Sequence, residues 1–432
     1  MKVAVIGAGY VGLVTSACFS ERGLEVNCVD KSSEKIESLK SGRIPIFETG
    51  LDAMISRNIA ANKLRFSSDL ATAIKDTEIS FIAVGTPGRG DGQPNLEDVY
   101  RVAEEIATSA KHEMLIVTKS TVPVGTARKI KHRIQHTTGS KHKQFDIAAN
   151  PEFLREGSAI NDFLKPDRVI IGTETDSAVE KLGMLYDSVD ISPVMFTGLE
   201  TAELIKHSAN GFLAVKIAYI NQIADICERT GANVIEVSKG LGFDKRIGRN
   251  FLDAGPGFGG SCLPKDALAL IETAKSAGVS PNIIEAAVEA NARRKATLAN
   301  RVAEILGNVE NKKVAVFGLT FKAGTDDVRE APSLELIPAL RDLGIEVSAY
   351  DPKGLQNARA KVGFARFCEN AYQAAEGAHA VIVLTEWPEF RNLDFQKMKK
   401  IMRKPVILDF RNLLNRSEVV AVGFEYHGIG IG

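Results

Sequence analysis

Along this chain, short unbroken apolar runs alternate with longer stretches in which apolar residues recur at helical spacing. The first run, Lys2-Val3-Ala4-Val5-Ile6-Gly7, has no polar alternation. A strand with one wet face would alternate, so this run predicts a parallel strand buried on both faces. A helix-like segment follows to about Arg22, and then a second strand over residues 25–30. Runs at 79–84, 115–119 and 145–149 predict further strands, each ending in a polar loop. From about residue 198 to 301 the period lengthens, and residues 201–228 read as one nearly continuous helix. The opening pattern then returns: KVAVIG at 2–7 as KVAVFG at 313–318, and EVNCVD at 25–30 as EVSAYD at 346–351. Two more strands follow, at 380–384 and 406–409.

The turns between these elements carry the chemistry. Gly7-Ala8-Gly9-Tyr10-Val11-Gly12 is a G-x-G-x-x-G sequence. Alone it is a weak signal, but here a strand precedes it, a helix follows, and Asp30 closes the next strand about twenty residues on. Gly7, Gly9 and Gly12 permit a tight turn and let a pyrophosphate approach the helix N-terminus. Asp30 would accept hydrogen bonds from ribose hydroxyls and repel a 2′-phosphate, which favours NAD over NADP. Lys31 reads as solvated. Thr86 and Thr121 fall just after strand ends of one sheet, where they are either turn and cap residues or cofactor contacts; their shared position favours contact. The turn-rich residues 88–94 predict a mobile surface loop.

Glu152, Phe153, Leu154 and Arg155, in the segment 150–157, are a substrate loop or plain surface charge. Lys206 and Asn210 are four apart and share a helix face among apolar neighbours, which suits an oxyanion-binding pair; His207 faces elsewhere and reads as structural. The same helix suits a dimer interface or an interdomain spine. The second repeat lacks G-x-G-x-x-G. In its place stands Gly318-Leu319-Thr320-Phe321-Lys322-Ala323-Gly324-Thr325, where Lys322 and nearby backbone would hold a different phosphate-bearing ligand. The fold class predicted is α/β, with two Rossmann-like doubly wound domains joined by a long central helical region. Boundaries fall at 1–197, 198–301 and 302–432.

Composition narrows the class. The length of 432 residues exceeds what one core usually supports. With 54 basic and 54 acidic residues the net charge is zero, so bulk electrostatics gives no reason to expect a nucleic-acid or membrane partner. Five scattered cysteines (18, 28, 227, 262 and 368) form no C-x-x-C pair, against a disulfide framework or a zinc site. The chain opens directly on a strand and has no membrane-length apolar run, so the expectation is a cytoplasmic enzyme.

One cysteine stands apart. Gly255-Pro256-Gly257-Phe258-Gly259-Gly260-Ser261-Cys262-Leu263-Pro264-Lys265-Asp266 is a glycine-dense loop running into a thiol. Pro264 suits a first helical turn, which sets Cys262 at a helix N-terminus whose partial positive charge favours a thiolate. Lys265 adds positive charge, and Asp266 would share a face with Cys262. A buried structural thiol is the usual fate of a lone cysteine. The loop, Lys265 and Asp266 point instead to a nucleophile.

Taken together, GAGYVG, VGTP, STVPVGT, NPEFLREG, AELIKHSAN, AGPGFGGSCLPKD, GLTFKAGTDDVREAP, YDP and TEWPEF resemble the UDP-glucose/GDP-mannose dehydrogenase family over essentially the whole chain. The resemblance implies oxidation of a sugar primary alcohol to a carboxylate with NAD, and UDP-glucose as substrate; GDP-mannose and UDP-N-acetylhexosamines are alternatives, and a non-catalytic NAD-binding protein of this fold a distant one. It implies Cys262 as nucleophile, Lys206 and Asn210 as oxyanion stabilisers, and Asp266, Thr121 and Glu152 as organisers of water and proton transfer. It places Glu152, Phe153, Leu154, Arg155, Lys206, Asn210, Phe251, Leu252, Asp253, Ala254, Gly255, Gly259 and Lys322 against the sugar nucleotide, with Arg246 reaching the other subunit's substrate in a homodimer formed through the central region. Cofactor positions implied, besides the three glycines and Tyr10, are Val11, Asp30, Lys35, Thr86, Thr121, Glu156, Lys265 and Arg329. His207, Ser208 and Asn95 depart from the residues more usual in the family.

Overall fold

The two copies of the repeated sequence pair in the same register. Strand β1 (Lys2–Ile6) lies parallel to β2 (Glu25–Val29) with Lys2 opposite Glu25 and Ile6 opposite Val29. In the second copy, β9 (Lys313–Phe317) lies parallel to β10 (Glu346–Tyr350) with Lys313 opposite Glu346 and Phe317 opposite Tyr350. A side-chain period of two means this register sends equivalent residues to equivalent faces. The computed structural model describes residues 1–89, 94–139 and 145–431. Of the turn expected at 88–94, residues 90–93 lie outside the described residues.

The chain divides into two compact units: residues 1–209 with 268–278, and residues 210–267 with 279–432. In the first unit β3 (Leu64–Ser67), β4 (Ile79–Ile82), β5 (Met114–Thr118), β6 (Phe145–Ala149), β7 (Val169–Thr173) and β8 (Val194–Thr197) join the opening pair. The sheet order is β3-β2-β1-β4-β5-β6-β7-β8, with only β6 and β7 antiparallel. Burial follows the strand period: Val3 and Val5 enter one apolar cluster with Phe19 and Phe81, while Ala4 and Ile6 enter another with Ile82 and Ile106. Both faces are therefore covered, as the unbroken runs predict. The order reverses between β1 and β4, so the crevice at their carboxyl ends is a ligand position in such sheets.

The second unit repeats the plan with β11 (Arg366–Phe367), β12 (Ala380–Val383), β13 (Val406–Asp409) and β14 (Glu425–Gly428), in the order β11-β10-β9-β12-β13-β14, all parallel. Val314 and Val316 pack with Leu298 and Val302 of the helix Asn282–Leu306; Ala315 and Phe317 pack with Trp387 and Phe390.

Strands end a residue or two earlier than the apolar runs suggest: β2 stops at Val29 and β4 at Ile82. Asp30 and Val84 thus belong to the loops, where the Asp30 side chain accepts from the Ala8 amide and the Val84 carbonyl from the Ser120 hydroxyl. The central helix is longer than its pattern, Leu199–Thr230. Phe212, Tyr219 and Ile226, seven residues apart on it, are 63%, 49% and 55% exposed. Among the described residues, no helix is long and apolar enough to cross a membrane, and no cluster of His, Cys, Asp and Glu could hold a metal.

Candidate active site

In the first unit the glycine turn is shaped by what touches it. A Cβ on Gly7 would meet the Ala83 carbonyl oxygen at 2.6 Å, and one on Gly12 would meet the Gly7 oxygen at 1.7 Å. Nothing lies within 4 Å of such an atom on Gly9. The outer two glycines therefore let the turn pack, and the middle one leaves room for a ligand's phosphate at the start of the helix Tyr10–Glu21. A cleft of about 360 Å³ opens here, lined by Gly7, Gly9, Asp30, Lys35 and Val84. The residues fit a dinucleotide.

Asp30 accepts from the Ala8 amide (2.9 Å), the Ser32 amide (3.0 Å) and Lys35 Nζ (2.8 Å). Burial alone would raise this carboxyl, but Lys35 and the two amides outweigh it and hold it below the usual carboxylate range. Lys31, largely exposed, pairs with Asp98 at 3.1 Å on the rim of the same cleft. The Tyr10 hydroxyl donates to Glu48, which also accepts from the amides of Gly157 (2.7 Å) and Ala159 (2.9 Å). This ties the glycine helix to the loop that carries Glu156. Val11 packs against the core nearby, and Thr86 Oγ1 donates to the Thr121 carbonyl at 3.1 Å.

The charged residues of the loop 150–157 differ in exposure, with Arg155 at the surface and Glu152 inside. Glu152 is buried, and its Oε1 lies 3.4 Å from Lys206 Nζ; its other oxygen accepts from the Leu154 amide. The Phe153 ring lies 5.3 Å from that ammonium and 4.0 Å from the Arg168 guanidinium. Arg155 pairs with Asp162 at 2.6 Å. Behind the loop, Asn150 accepts from Lys119 Nζ (3.1 Å) and the Tyr186 hydroxyl (2.5 Å). Burial drives Lys119 from 10.5 down to about 8; Glu152 opposes that shift and Lys206 adds to it. His207 donates to the Val122 carbonyl at 2.7 Å. Glu203 accepts from the Gly125 and Ala127 amides (2.6 and 2.8 Å), while burial lifts its carboxyl to about 7. The first turns of the long helix thus hold the loop that carries Thr121. Asn95 accepts from the Glu97 amide (3.1 Å) ahead of the next helix.

In the second unit Cys262 directly precedes the helix Leu263–Ser276, with Pro264 and Asp266 in its first turn. Cys262 is partly exposed, whereas the other four cysteines are buried; none of the five is in a disulfide. Asp266 is buried and accepts from Asn210 Nδ2 at 2.5 Å. The glycine loop is moulded on its neighbours. A Cβ on Gly259 would meet the Glu330 carbonyl oxygen at 2.2 Å, and one on Gly260 would meet the Phe321 ring at 2.7 Å. Asn291 clasps the Phe258 backbone at both its amide and carbonyl, and the Gly255 amide donates to Asn221 at 2.8 Å. Phe251 holds a φ of +64°, a left-handed value costly for a bulky side chain, within the segment expected to meet the sugar. Leu252 and Ala254 are buried beside it, and Asp253 pairs with Arg249. Arg246 is exposed and pairs with Asp244 at 2.6 Å. Arg329 pairs with Asp327, and Lys322 Nζ lies 5.8 Å from the Phe321 ring centre.

The structure therefore brings Glu152 to Lys206 and Asp266 to Asn210, one carboxylate for each member of the helix pair. Sequence reading missed Lys119, Asn150, Glu48 and Glu203, and the asparagines that brace the glycine loop. Lys119 left a trace, a charge closing an apolar strand; Asn221 and Asn291 look like any polar helix residue.

Comparison with known proteins agrees along the chain. Family models match three segments: the UDP-glucose/GDP-mannose dehydrogenase family NAD binding domain at residues 1–190, its central domain at 200–293 and its UDP binding domain at 315–416. UDP-glucose 6-dehydrogenase of Rhizobium meliloti is 46% identical, covering 100% of this chain and 99% of its own. UDP-glucose 6-dehydrogenase TuaD of Bacillus subtilis is 44% identical over 99% of this chain and 93% of its own. The structure of a UDP-glucose dehydrogenase from Pyrobaculum islandicum superposes with a TM-score of 0.91 at 35% identity, covering 100% of this chain and 98% of that one.

Proposed function

The chain belongs to the UDP-glucose/GDP-mannose dehydrogenase family, and we propose that it oxidises UDP-glucose to UDP-glucuronate with two NAD and one water per sugar. One observation carries the chemistry: the partly exposed Cys262 at a helix start, in a glycine loop that its neighbours leave no room to widen. NAD, bound at the Gly7–Gly12 turn, supplies the hydride acceptor for both oxidations.

Thr121, Glu152 and Asp266 organise the proton transfers. The first oxidation turns the C6 alcohol into an aldehyde, and its hydroxyl proton leaves toward the water that these groups hold. Cys262 thiolate then adds to the aldehyde carbon. The C=O π pair becomes an alkoxide, stabilised by the Lys206 ammonium and the Asn210 amide. Collapse of that alkoxide expels the second hydride and leaves a thioester on Cys262. Water attacks the thioester, the C–S bond breaks, and the thiolate returns as the acid is released. That hydrolysis makes the whole sequence effectively irreversible.

Glu152, Phe153, Leu154 and Arg155, with residues 251–255, Gly259 and Lys322, take the sugar nucleotide. Asp30 and Lys35 take the adenosine ribose, and Thr86, Glu156, Lys265 and Arg329 complete the cofactor contacts. The exposed stripe Phe212, Tyr219 and Ile226 repeats every two helical turns, which supports a homodimer through the central helix, with Arg246 reaching the partner's substrate. Segment 198–301 acts as the dimerising and catalytic region between the two nucleotide-binding ones. Five cysteines with no disulfide among them support a cytoplasmic setting.

The test is NADH released at limiting UDP-glucose with excess NAD, and the expected yield is two per sugar. One per sugar would limit the enzyme to the aldehyde. No release, with turnover of GDP-mannose or an N-acetylated UDP-sugar instead, would overturn the substrate.

A further inference from the structure

The sequence repeat puts an aspartate at the end of the second strand in both units, Asp30 and Asp351. Both accept from the amide just after the first glycine of their turn: Ala8 to Asp30 at 2.9 Å, and Leu319 to Asp351 at 2.6 Å. Both accept from the amide two residues further on, Ser32 at 3.0 Å and Lys353 at 2.9 Å. There the likeness ends. Where Gly9 leaves open space, the second unit has Thr320, whose hydroxyl donates to Asp351 Oδ2 at 3.2 Å. The indole N–H of Trp387 donates to the same oxygen at 3.1 Å. Two further amides, of Thr320 (3.1 Å) and Gly354 (2.6 Å), complete six donors on one buried carboxylate. Such a carboxylate has no lone pair to offer a ribose hydroxyl.

The geometry points to a changed role: Asp351 is a positioning residue for the nucleotide of the sugar substrate, anchoring the loop 318–325 rather than reading a ribose. The inference rests on the reading that Lys322 of this loop binds the UDP moiety. The loop is pinned elsewhere too. Thr385 Oγ1 donates to the Thr320 carbonyl (2.6 Å), Ser333 Oγ to the Leu319 carbonyl (2.6 Å), and Arg411 to the Phe321 carbonyl (2.7 Å). The Phe321 ring then backs Gly260, two residues before Cys262. Asp351 is the hub because it alone gathers the turn, the strand end and Trp387. A fixed loop offers Lys322 and its amides to a diphosphate without an ordering cost at binding.

Trp387 is the only tryptophan in the chain, so its emission reports on this hub directly. UDP affinity is measured by calorimetry for the parent enzyme, Lys322→Ala, Asp351→Asn and Trp387→Phe, with NAD affinity measured alongside. The expected result for Asp351→Asn is UDP binding about tenfold weaker, altered Trp387 emission and NAD affinity unchanged within about twofold. Trp387→Phe, which keeps the carboxylate and removes one donor, weakens UDP binding about threefold, and serves if Asp351→Asn does not fold. Unchanged UDP affinity in these variants, alongside weakened binding in Lys322→Ala, would overturn the inference. Unchanged affinity in Lys322→Ala would instead overturn the underlying reading of the loop. Equal loss of UDP and NAD binding would mean general loosening, and would also overturn it.

Discussion

Lys206 Nζ stands 3.4 Å from Glu152 Oε1, with both side chains almost fully buried at 3% and 5% exposure. Such a pair is seldom favoured for stability alone, because two desolvated ions cost more than a packed apolar pair. Its retention fits a catalytic use. Lys206→Met would strand the Glu152 charge, at about 3–5 kcal/mol of stability, and would remove the oxyanion partner, at about a hundredfold or more in kcat. Glu152→Gln keeps an acceptor for the Leu154 amide but removes the charge that offsets the buried Lys206 ammonium, so it should lose stability as well as activity. A thermal melt with kcat on the folded enzyme separates the two effects. Full kcat in folded Lys206→Met would refute the assignment.

Cys262→Ala removes the covalent route, so acid formation should fall by about a thousandfold or more, with the reaction halted near the aldehyde. Cys262→Ser keeps an adding group but makes an ester slow to hydrolyse, and should yield little net acid. Chromatography of the sugar-nucleotide products, with NADH counted in parallel, reads both. Normal turnover in the alanine variant would sink the covalent mechanism.

Gly12→Ala places a methyl 1.7 Å from the Gly7 carbonyl oxygen, backbone that has no flexible end to yield. Asp30→Ala removes the acceptor for ribose hydroxyls and the repulsion of a 2′-phosphate. Both should raise KM for NAD by about tenfold or more; only Asp30→Ala should narrow the preference for NAD over NADP. UDP affinity should stay put in each, which calorimetry can check.

Lys119 sets a pH dependence. Burial lowers it from 10.5 to about 8 in the folded chain. Between those values the unfolded chain holds a proton that the folded chain has released, so stability rises as pH rises through that window. Lys119→Met removes the rise. The melting temperature of the parent relative to the variant should therefore increase from pH 7 to pH 9.5. Parallel curves would show that Lys119 is not depressed.

The exposed stripe on the long helix predicts self-association. A Phe212→Glu, Tyr219→Glu double variant should sediment near the chain mass of 46.6 kDa, while the parent sediments at about twice that. A monomeric parent would remove the dimer and the cross-subunit role of Arg246.

Much of the fold is legible in the amino-acid sequence. Unbroken apolar runs forecast strands buried on both faces, and KVAVIG with its echo KVAVFG forecast two sheets built alike. Those signals are local, because strand and helix periods are written in neighbouring residues. Pro264 and Asp266 marked the helix behind Cys262 for the same reason. The loop 150–157 was open to two readings, since charge in a sequence does not say whether water reaches it.

What tertiary structure decided is who faces whom. Glu152 and Lys206 are 54 residues apart, and Asn210 and Asp266 are 56 apart. No periodicity links them; each pairing arises because folding removes water and leaves a buried charge or amide in need of a partner. The same demand drew Asn291 to the Phe258 backbone and made Asp351, the echo of Asp30, an anchor. The sequence by itself determined the two folds, the dinucleotide turn and the helix behind Cys262; burial determined which polar groups meet.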